Sequence, residues 1–339
     1  YEQALLGTES PVDVELIERV EVIRGPSSSL YGTSAFFAVI NLVTRTGTSI
    51  SGAEVQGQVG SQDLRRGRAT VGGRTARGFE GLLSASAYGT DGNTSLYFPE
   101  FDTGAPGTGV ATNADRDRFT SLFASGSGHG FTAQAGIGSR RKHIPTAPFD
   151  TVFNDARTAT RDTRAFAHLR YSARLDARTT LDLRGGYDQY AYDGDFAYDT
   201  GLFVDNGRGA WLTSEAALVR QFTRHALTTG FEYRNNFRQD QVARDETGVL
   251  LDDRRSSHVT GLYVEDEFRL TPRLLLNGGL RWDQYYGRFG GTVNPRLGII
   301  ATPVDGGTLK LLYGRAFRAP NPFELYYGQN EISARLRPE

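Results

Sequence analysis

The sequence has no cysteine, no methionine and only five histidines, and all but two of its 38 basic residues are arginine. Without cysteine there is no disulfide framework, thiolate metal site or cysteine nucleophile. Five histidines leave little material for a metal enzyme. No run approaches the roughly 20 apolar residues of a membrane helix; the longest covers residues 35–40. An excess of positive charge is lacking too: the net charge is −1, which argues against a general nucleic-acid binder. The arginine preference reads mainly as a composition bias. A chain that opens at Tyr1 and lacks methionine throughout is expected to be a fragment, so the lack of a visible signal peptide carries no information.

The 339 residues include 41 Gly, 16 Tyr and 20 Phe, and the length fits either two ordinary domains or one large β-barrel. The mean hydropathy of −0.41 does not separate a soluble protein from a membrane barrel. A barrel alternates lipid-facing and lumen-facing residues, and the average hides its apolar half.

Beyond residue 50 the dominant signal is period-two alternation in segments of about ten residues. Ala165, Ala167, Leu169, Tyr171, Ala173 and Leu175 alternate with Phe166, His168, Arg170, Ser172 and Arg174. After Asp176-Ala177-Arg178, Leu181, Leu183, Gly185 and Tyr187 alternate with Asp182, Arg184, Gly186 and Asp188. Residues 227–234 and 274–283 repeat the grammar, ending on Leu280 and Trp282 against Arg281 and Asp283. Tight turns fall near Thr75, Gly128, Ala177, Thr223 and Pro272, and long polar loops are expected at about 91–115, 142–161, 193–207 and 240–256. Two strands, one short turn and one long loop per unit is the layout of an outer-membrane barrel, with short periplasmic turns and long outer loops. The spacing predicts about 12 or 13 strands. The alternatives are a soluble β-rich binding protein or repeat scaffold, and a passive porin-like channel.

Residues 1–49 follow a different grammar. Val14-Glu15-Leu16-Ile17-Glu18-Arg19-Val20-Glu21-Val22-Ile23-Arg24-Gly25-Pro26 is an amphipathic stretch running into a strand that Gly-Pro stops. Ser27-Ser28-Ser29-Leu30-Tyr31-Gly32-Thr33-Ser34-Ala35 is a small-residue loop, and Val39-Ile40-Asn41-Leu42-Val43-Thr44-Arg45 is a second strand. Gly25, Pro26, Tyr31 and Gly32 read as turn-forming structure, with the Tyr31 hydroxyl a candidate ligand contact. Asn41, inside an apolar strand, needs hydrogen-bond partners. No Ser/His/Asp set and no recurring pair of carboxylates points to catalysis, so the protein is not expected to be an enzyme.

This segment closely resembles the C-terminal half of the plug domain of TonB-dependent outer-membrane receptors, whose pattern is I-E-R-[IV]-E-V-[LI]-R-G-P, then L-Y-G, then V-I-N-[IL]-[IV]-T. It departs from the pattern at Phe36-Phe37-Ala38, where two glycines are usual. A second resemblance lies at Tyr313-Gly314-Arg315-Ala316-Phe317-Arg318-Ala319-Pro320 followed by Glu324-Leu325-Tyr326, similar to the family's Y-G-x-x-F-R-A-P and E-L-Y.

The resemblance implies an all-β fold: a transmembrane antiparallel barrel, 22-stranded in the full family, enclosing a small α+β plug. Residues 1–49 would be the C-terminal part of the plug and residues 50–339 the N-terminal part of the barrel, truncated at both ends. It further implies active transport of a bulky, scarce ligand across the Gram-negative outer membrane, most often a ferric siderophore, with cobalamin, haem or glycan as alternatives. The implied partners are TonB with its proton-driven inner-membrane complex, the metal chelate and outer-membrane lipid. Nucleic acid is not among them, and a monomer is expected. No resident cofactor is implied.

Two site expectations follow. Tyr190, Tyr192, Phe196 and Tyr198, interleaved with Asp193, Asp195 and Asp199, are candidate contacts to a planar or metal-bearing ligand. Tyr190 and Tyr192, near the expected barrel rim, read more readily as part of an interfacial aromatic girdle and the acidic loop as solvated; calcium held by Asp193, Asp195 and Asp199 is the minor alternative. On the strand over residues 262–270, Leu262, Val264, Phe268 and Leu270 are expected toward lipid and Glu265 and Glu267 toward the lumen, with Asp266 breaking the apolar row. Arg24 would then pair with one of those glutamates and lock plug to barrel.

Overall fold

The computed structural model describes residues 10–24, 38–287, 289–327 and 336–338, and for Arg24 the backbone alone. Gly25, Pro26, Tyr31 and Gly32 lie outside the described residues. A 3-10 turn at Val14–Leu16, capped by the Asp13 carboxylate on the Glu15 N–H, leads into β1 (Ile17–Arg24). This strand pairs antiparallel with β2 (Ala38–Thr44). Asn41 sits opposite Glu21 and donates to its Oε2 at 2.9 Å, which gives the amide its partner, on an exposed face rather than in an apolar one. A helical turn at Gly47–Ile50 connects the hairpin to the main sheet.

That sheet begins with β3 (Gly52–Val59), β4 (Arg65–Arg74) and β5 (Glu80–Thr90). The next connection carries a small hairpin of β6 (Ser95–Tyr97) and β7 (Val110–Thr112). The wall continues with β8 (Asp117–Gly128), β9 (Phe131–His143), β10 (Ala159–Arg174), β11 (Thr179–Tyr198), β12 (Gly201–Gln221) and β13 (His225–Asp245). It ends with β14 (Gly248–Thr271), β15 (Leu274–Tyr286), β16 (Gly290–Ala301) and β17 (Leu309–Gly314). Each strand is hydrogen-bonded to its predecessor in the wall, giving a 13-stranded antiparallel meander whose edges are β3 and β17. The strand number agrees with the spacing of the turns; the sheet is open.

Burial is inverted relative to a water-soluble sheet. Leu169, Leu183, Leu262, Val264, Leu280 and Trp282 are exposed, whereas Arg68, Asp117, Asp188, Asp205, Arg281, Asp283 and Asn294 are buried. A soluble sandwich would bury the first set. An apolar face turned outward and a charged face turned inward is the pattern of a membrane barrel. The inner face is identified by Leu16 of the N-terminal segment, which packs on Leu82 of β5 and Phe123 of β8. The expected faces on β14 hold: Leu262, Val264 and Leu270 are outward, and the row of Tyr263, Glu265 and Glu267 is inward. Asp266, on the outward row, bonds His225 Nδ1 at 2.7 Å, and His225 stacks on Phe268.

One expectation fails. Residues 193–207 and 240–256 are not loops; β11 and β12 run through the first to a turn of Asp199 and Thr200, and β13 and β14 through the second to Glu246 and Thr247. The polar composition that reads as loop belongs to ribbon standing beyond the lipid, where the outer face meets water in place of lipid. A tilted membrane crossing needs about 9–11 residues, and β11 to β14 have 20, 21, 21 and 24. The true long loops are 91–116, with its small hairpin, and 144–158.

Candidate ligand-binding face

Strand alternation gathers a set of polar and aromatic side chains on the inner face toward the long end of β10 to β14. At its centre is buried Trp211 of β12, with the Arg234 guanidinium carbon 4.8 Å and that of Arg164 5.9 Å from its ring. A bulge places it there. Ala210 pairs with Arg238 but Trp211 with Asn236, so Phe237 is the extra residue on β13. Asn236 is buried, accepting from Arg234 Nε at 2.8 Å and donating to Ser257 Oγ at 3.0 Å. On β11, Asp188 accepts from Arg164 Nη2 at 3.3 Å and lies 2.9 Å from His168 Nε2.

Farther from the short turns, Tyr190 donates to Asp162 of β10, and Tyr192, Asp205 and Tyr327 come together. Asp205 is 7% exposed and its Oδ1 has no hydrogen-bond partner. Burial raises its carboxyl above the ordinary range, against a smaller opposing contribution from the Tyr327 hydroxyl. The Tyr192 phenol is raised by burial and then by the fields of Asp205, Asp162 and Asp195.

The segment after β17 forms a strap across this face. Arg318 Nη1 clasps both oxygens of Glu324 at 2.9 and 3.0 Å, and Asn321 and Glu324 exchange backbone–side-chain hydrogen bonds. Gln241 of β13 donates to the Pro322 carbonyl at 2.9 Å, and the Arg255 guanidinium of β14 lies 3.6 Å from the Tyr326 ring centroid. The strap thus adds Tyr326 and Tyr327 to a wall of mixed charge.

The aromatic and acidic residues expected to act together are divided. Along a strand successive side chains point to opposite faces, so Tyr190, Tyr192, Phe196 and Tyr198 share one face of β11 and Asp193 and Asp195 the other. Tyr190 and Tyr192 face inward, not into a lipid girdle. Phe196 packs edge-on against Phe149, and Tyr198 donates to the Phe149 carbonyl at 2.9 Å; both pin the 144–158 loop. Asp193 pairs with Arg208 and accepts from Asn206 at 2.7 Å, while Asp199 occupies the terminal turn. Among the described residues no three His, Asp or Glu side chains meet as a cation site, so Asp193, Asp195 and Asp199 are not gathered into one. Trp211, Asp205 and Gln241 were missed because composition placed Asp205 and Gln241 in loops and no residue pattern announces the bulge under Trp211.

Ion pairs fasten the described part of the N-terminal segment to the wall. Arg66 of β4 forms an ion pair with buried Asp13, and Arg45 clasps Glu54 of β3 at 3.0 and 2.7 Å. Glu54 is also 3.5 Å from Arg68. Glu265 accepts from Asn277 at 3.0 Å; the expected pairing of Arg24 with Glu265 or Glu267 lies outside the described residues, because the Arg24 side chain does. Burial alone would raise the Asp13 carboxyl, but Arg66 and the Glu15 N–H outweigh it and hold it below its ordinary 3.8. A depressed carboxyl stabilises the folded state above its ordinary value and loses that contribution as pH falls through the folded value. Retention of the segment is therefore expected to be constant from neutral pH to about 4 and to weaken below 3.8. Hydrogen exchange of residues 10–24 against pH reads this directly, and weakening already above pH 5 would exclude Asp13 as the responsible group.

An inverted, open, charged-inside wall with an N-terminal segment fastened to its inner face defines part of a plugged outer-membrane β-barrel. Residues 88–339 match the family model described as "TonB dependent receptor-like, beta-barrel", and residues 6–39 match the TonB-dependent receptor plug domain. The chain belongs to the TonB-dependent receptor family, whose members are receptors and transporters of the Gram-negative outer membrane and not enzymes. It is 24% identical to the ferric enterobactin receptor PirA of Pseudomonas aeruginosa, over 94% of this chain and 48% of that one. It is 26% identical to the vitamin B12 transporter BtuB of Vibrio cholerae, over 97% of this chain and 51% of that one. A crystal structure of a ferric enterobactin receptor from Pseudomonas aeruginosa superposes with a TM-score of 0.68 at 19% identity, covering 93% of this chain and 50% of the other. The chain thus spans about half the length of the curated relatives it matches.

Proposed function

We propose that the protein containing this chain imports a ferric siderophore across the outer membrane, driven by TonB and its proton-powered inner-membrane complex. The observation that carries the reading is the inner face at the long end, where Trp211, Tyr192, Tyr326 and Tyr327 stand among charged groups above a fastened plug segment. Aromatic rings offer stacking surface to a catecholate or other planar chelate. Arginines over those rings attract the anionic rim of a ferric complex. The ferric enterobactin receptors among the relatives support the same ligand class. The vitamin B12 transporter among them favours cobalamin as the second reading. Uptake of radioactive iron on a panel of chelates, with and without TonB and with cobalamin as competitor, separates the two; uptake independent of TonB would remove both.

In this reading the short turns near Ala177, Thr223 and Pro272 face the periplasm and the long ends face outside. Protease added to whole cells is expected to cut within residues 91–116 and 144–158 and to spare the short turns; cleavage at the short turns would invert the topology.

Asp205 gives a test with two readouts. Its raised carboxyl means that the ionised form costs folded-state stability as pH rises above 3.8. Asp205→Asn is expected to be more stable than the parent at neutral pH, with the difference vanishing below 3.8. Affinity for a chelate that donates to Asp205 should fall about tenfold, as for one charge-assisted hydrogen bond. Unchanged stability at neutral pH would show that water already solvates the carboxylate.

A further inference from the structure

The outward face of β8, β9 and β10 is graded from one end to the other. Phe131 and Tyr171 pack against each other at the short-turn end with centroids 4.5 Å apart and planes tilted by 35°. Above them come rows of Ala, Leu and Ile that include exposed Leu122 and Ile137. Next is a hydroxyl row of Thr120, Ser139 and Thr163, in which Ser139 and Thr163 bond at 2.9 Å. The last row of the same face is Arg118, Arg141 and Arg161. Arg118 pairs directly with Arg141, and Arg141 directly with Arg161.

Directly opposite residues on antiparallel strands have Cβ atoms about 5 Å apart, and like charges there are destabilising. Compensation from the protein is thin. Asp91 accepts from Arg118 Nη2 at 2.6 Å and is shared with Arg116 at 3.5 Å. Asp193, the register partner of Arg161, is committed to Arg208 and Asn206, and Asp115 to Lys142. Arg141 and Arg161 are both exposed, and among the described residues neither has an ion pair or hydrogen bond through its guanidinium. Nearby, burial holds His143 below its ordinary value against the opposing bond to the Ala156 carbonyl, and the field of Arg141 adds to the lowering.

Height sets where this row stands in the membrane. Ten residues separate Phe131 from Arg141, about 33 Å along a strand at about 3.3 Å per residue. At a tilt of roughly 40° this is about 25 Å along the membrane normal, the height of the lipid-facing band of such barrels. The arginine row therefore lies level with lipid headgroups at the long end.

We propose that Arg118, Arg141 and Arg161 form a binding site for the phosphates of a phosphoglycolipid in the outer leaflet. Guanidinium forks on adjacent strands match phosphate oxygens bidentately, the hydroxyl row below meets the polar linkage region, and the aliphatic rows meet the chains. The site is independent of the imported ligand and rests only on the long end facing outside.

The test uses the full-length receptor carrying Arg141→Gln and Arg161→Gln; Arg118 is left in place because it also bonds the Asp117 carbonyl at 3.0 Å. Phosphoglycolipid retained per receptor after purification in mild detergent is expected to fall about tenfold. After delipidation the variant should melt no lower than the parent, since it sheds like-charge repulsion. Adding phosphoglycolipid should raise the melting temperature of the parent but not of the variant, and Arg141→Lys with Arg161→Lys should give an intermediate rise. Three further arms on the parent alone keep the test independent of how the variants fold: the same lipid after phosphatase treatment, a glycerophospholipid, and inorganic phosphate. An equal rise with the dephosphorylated lipid would overturn the phosphate contact, and an equal rise with the glycerophospholipid would overturn the outer-leaflet assignment. A full rise with inorganic phosphate would reduce the site to a general anion site. Equal lipid retention by parent and glutamine variant would overturn the proposal outright.

Discussion

Arg281→Ala is expected to destabilise the barrel by about 3–5 kcal/mol, the cost of stranding buried partners of a removed charge. Arg281 and Asp283 side chains are 3% and 1% exposed. Arg281 Nε donates to Asp283 at 2.8 and 3.0 Å, and its Nη2 to Glu232 at 2.9 Å. The guanidinium also lies 5.7 Å from the Tyr263 ring, whose hydroxyl donates to Glu215 at 2.6 Å; Arg184 completes the row at 3.1 Å from Glu215. Five adjacent strands, β11 to β15, thus share one ladder of charge. Two glycines make room for it. A Cβ on Gly230 would sit 2.2 Å from the Tyr263 ring, and one on Gly261 would sit 2.5 Å from Arg281 Nη2. Gly230→Ala is expected to cost about 1–3 kcal/mol by displacing the ring. Urea midpoints of the refolded full-length receptor measure both. Replacing Arg281, Glu232 and Asp283 together by Met and Leu should recover most of the loss, because the penalty lies in the unpaired charges and not in the volume. A shift below about 1 kcal/mol for Arg281→Ala, the level of a solvent-exposed ion pair, would mean that lumen water solvates the two carboxylates.

Loss of the Arg66 side chain is expected to loosen the plug and let large solutes through. Arg66 is 23% and Asp13 5% exposed, so the pair is screened on one side and its coupling should lie nearer 1.5–3 kcal/mol than the buried limit. The contact is placed beside the apolar cluster of Leu16, Leu82 and Phe123, so a loosened Asp13 also exposes Leu16. Cells lacking TonB and carrying Arg66→Ala, Asp13→Ala or both, scored by sensitivity to a bulky antibiotic, give a double-mutant cycle. Strict additivity would show that the pair does not hold the plug, and would direct attention to Arg45 and Glu54, joined at 2.7 and 3.0 Å.

The fold class, the strand number and the facing of single residues were readable because each follows from a local rule. Leu280 and Trp282 are outward and Arg281 and Asp283 inward for no other reason than period two, and the short turns announce themselves by Gly, Pro and Asp. The ligand face was less legible. Asp193 and Asp195 lie next to Tyr192 in sequence but across the sheet from it, and the same period two that located the wall forbids them a common site. Conversely, Asp205 lies far from Tyr327 in sequence and meets it through a strap that no local pattern describes.

By itself the sequence determined an alternating β-wall, since alternation and turn residues are properties of neighbours along the chain, and its N-terminal motifs carried the resemblance that marks a plug segment. Only the tertiary structure decided what holds plug to wall, which groups of different strands meet, and that three arginines fall in one row. Those depend on register, on the bulge beside Trp211 and on the return of the strap. A shift of one residue in a pairing would turn that strand's apolar row inward and its charged row toward lipid, and would move each of these groups to the opposite face.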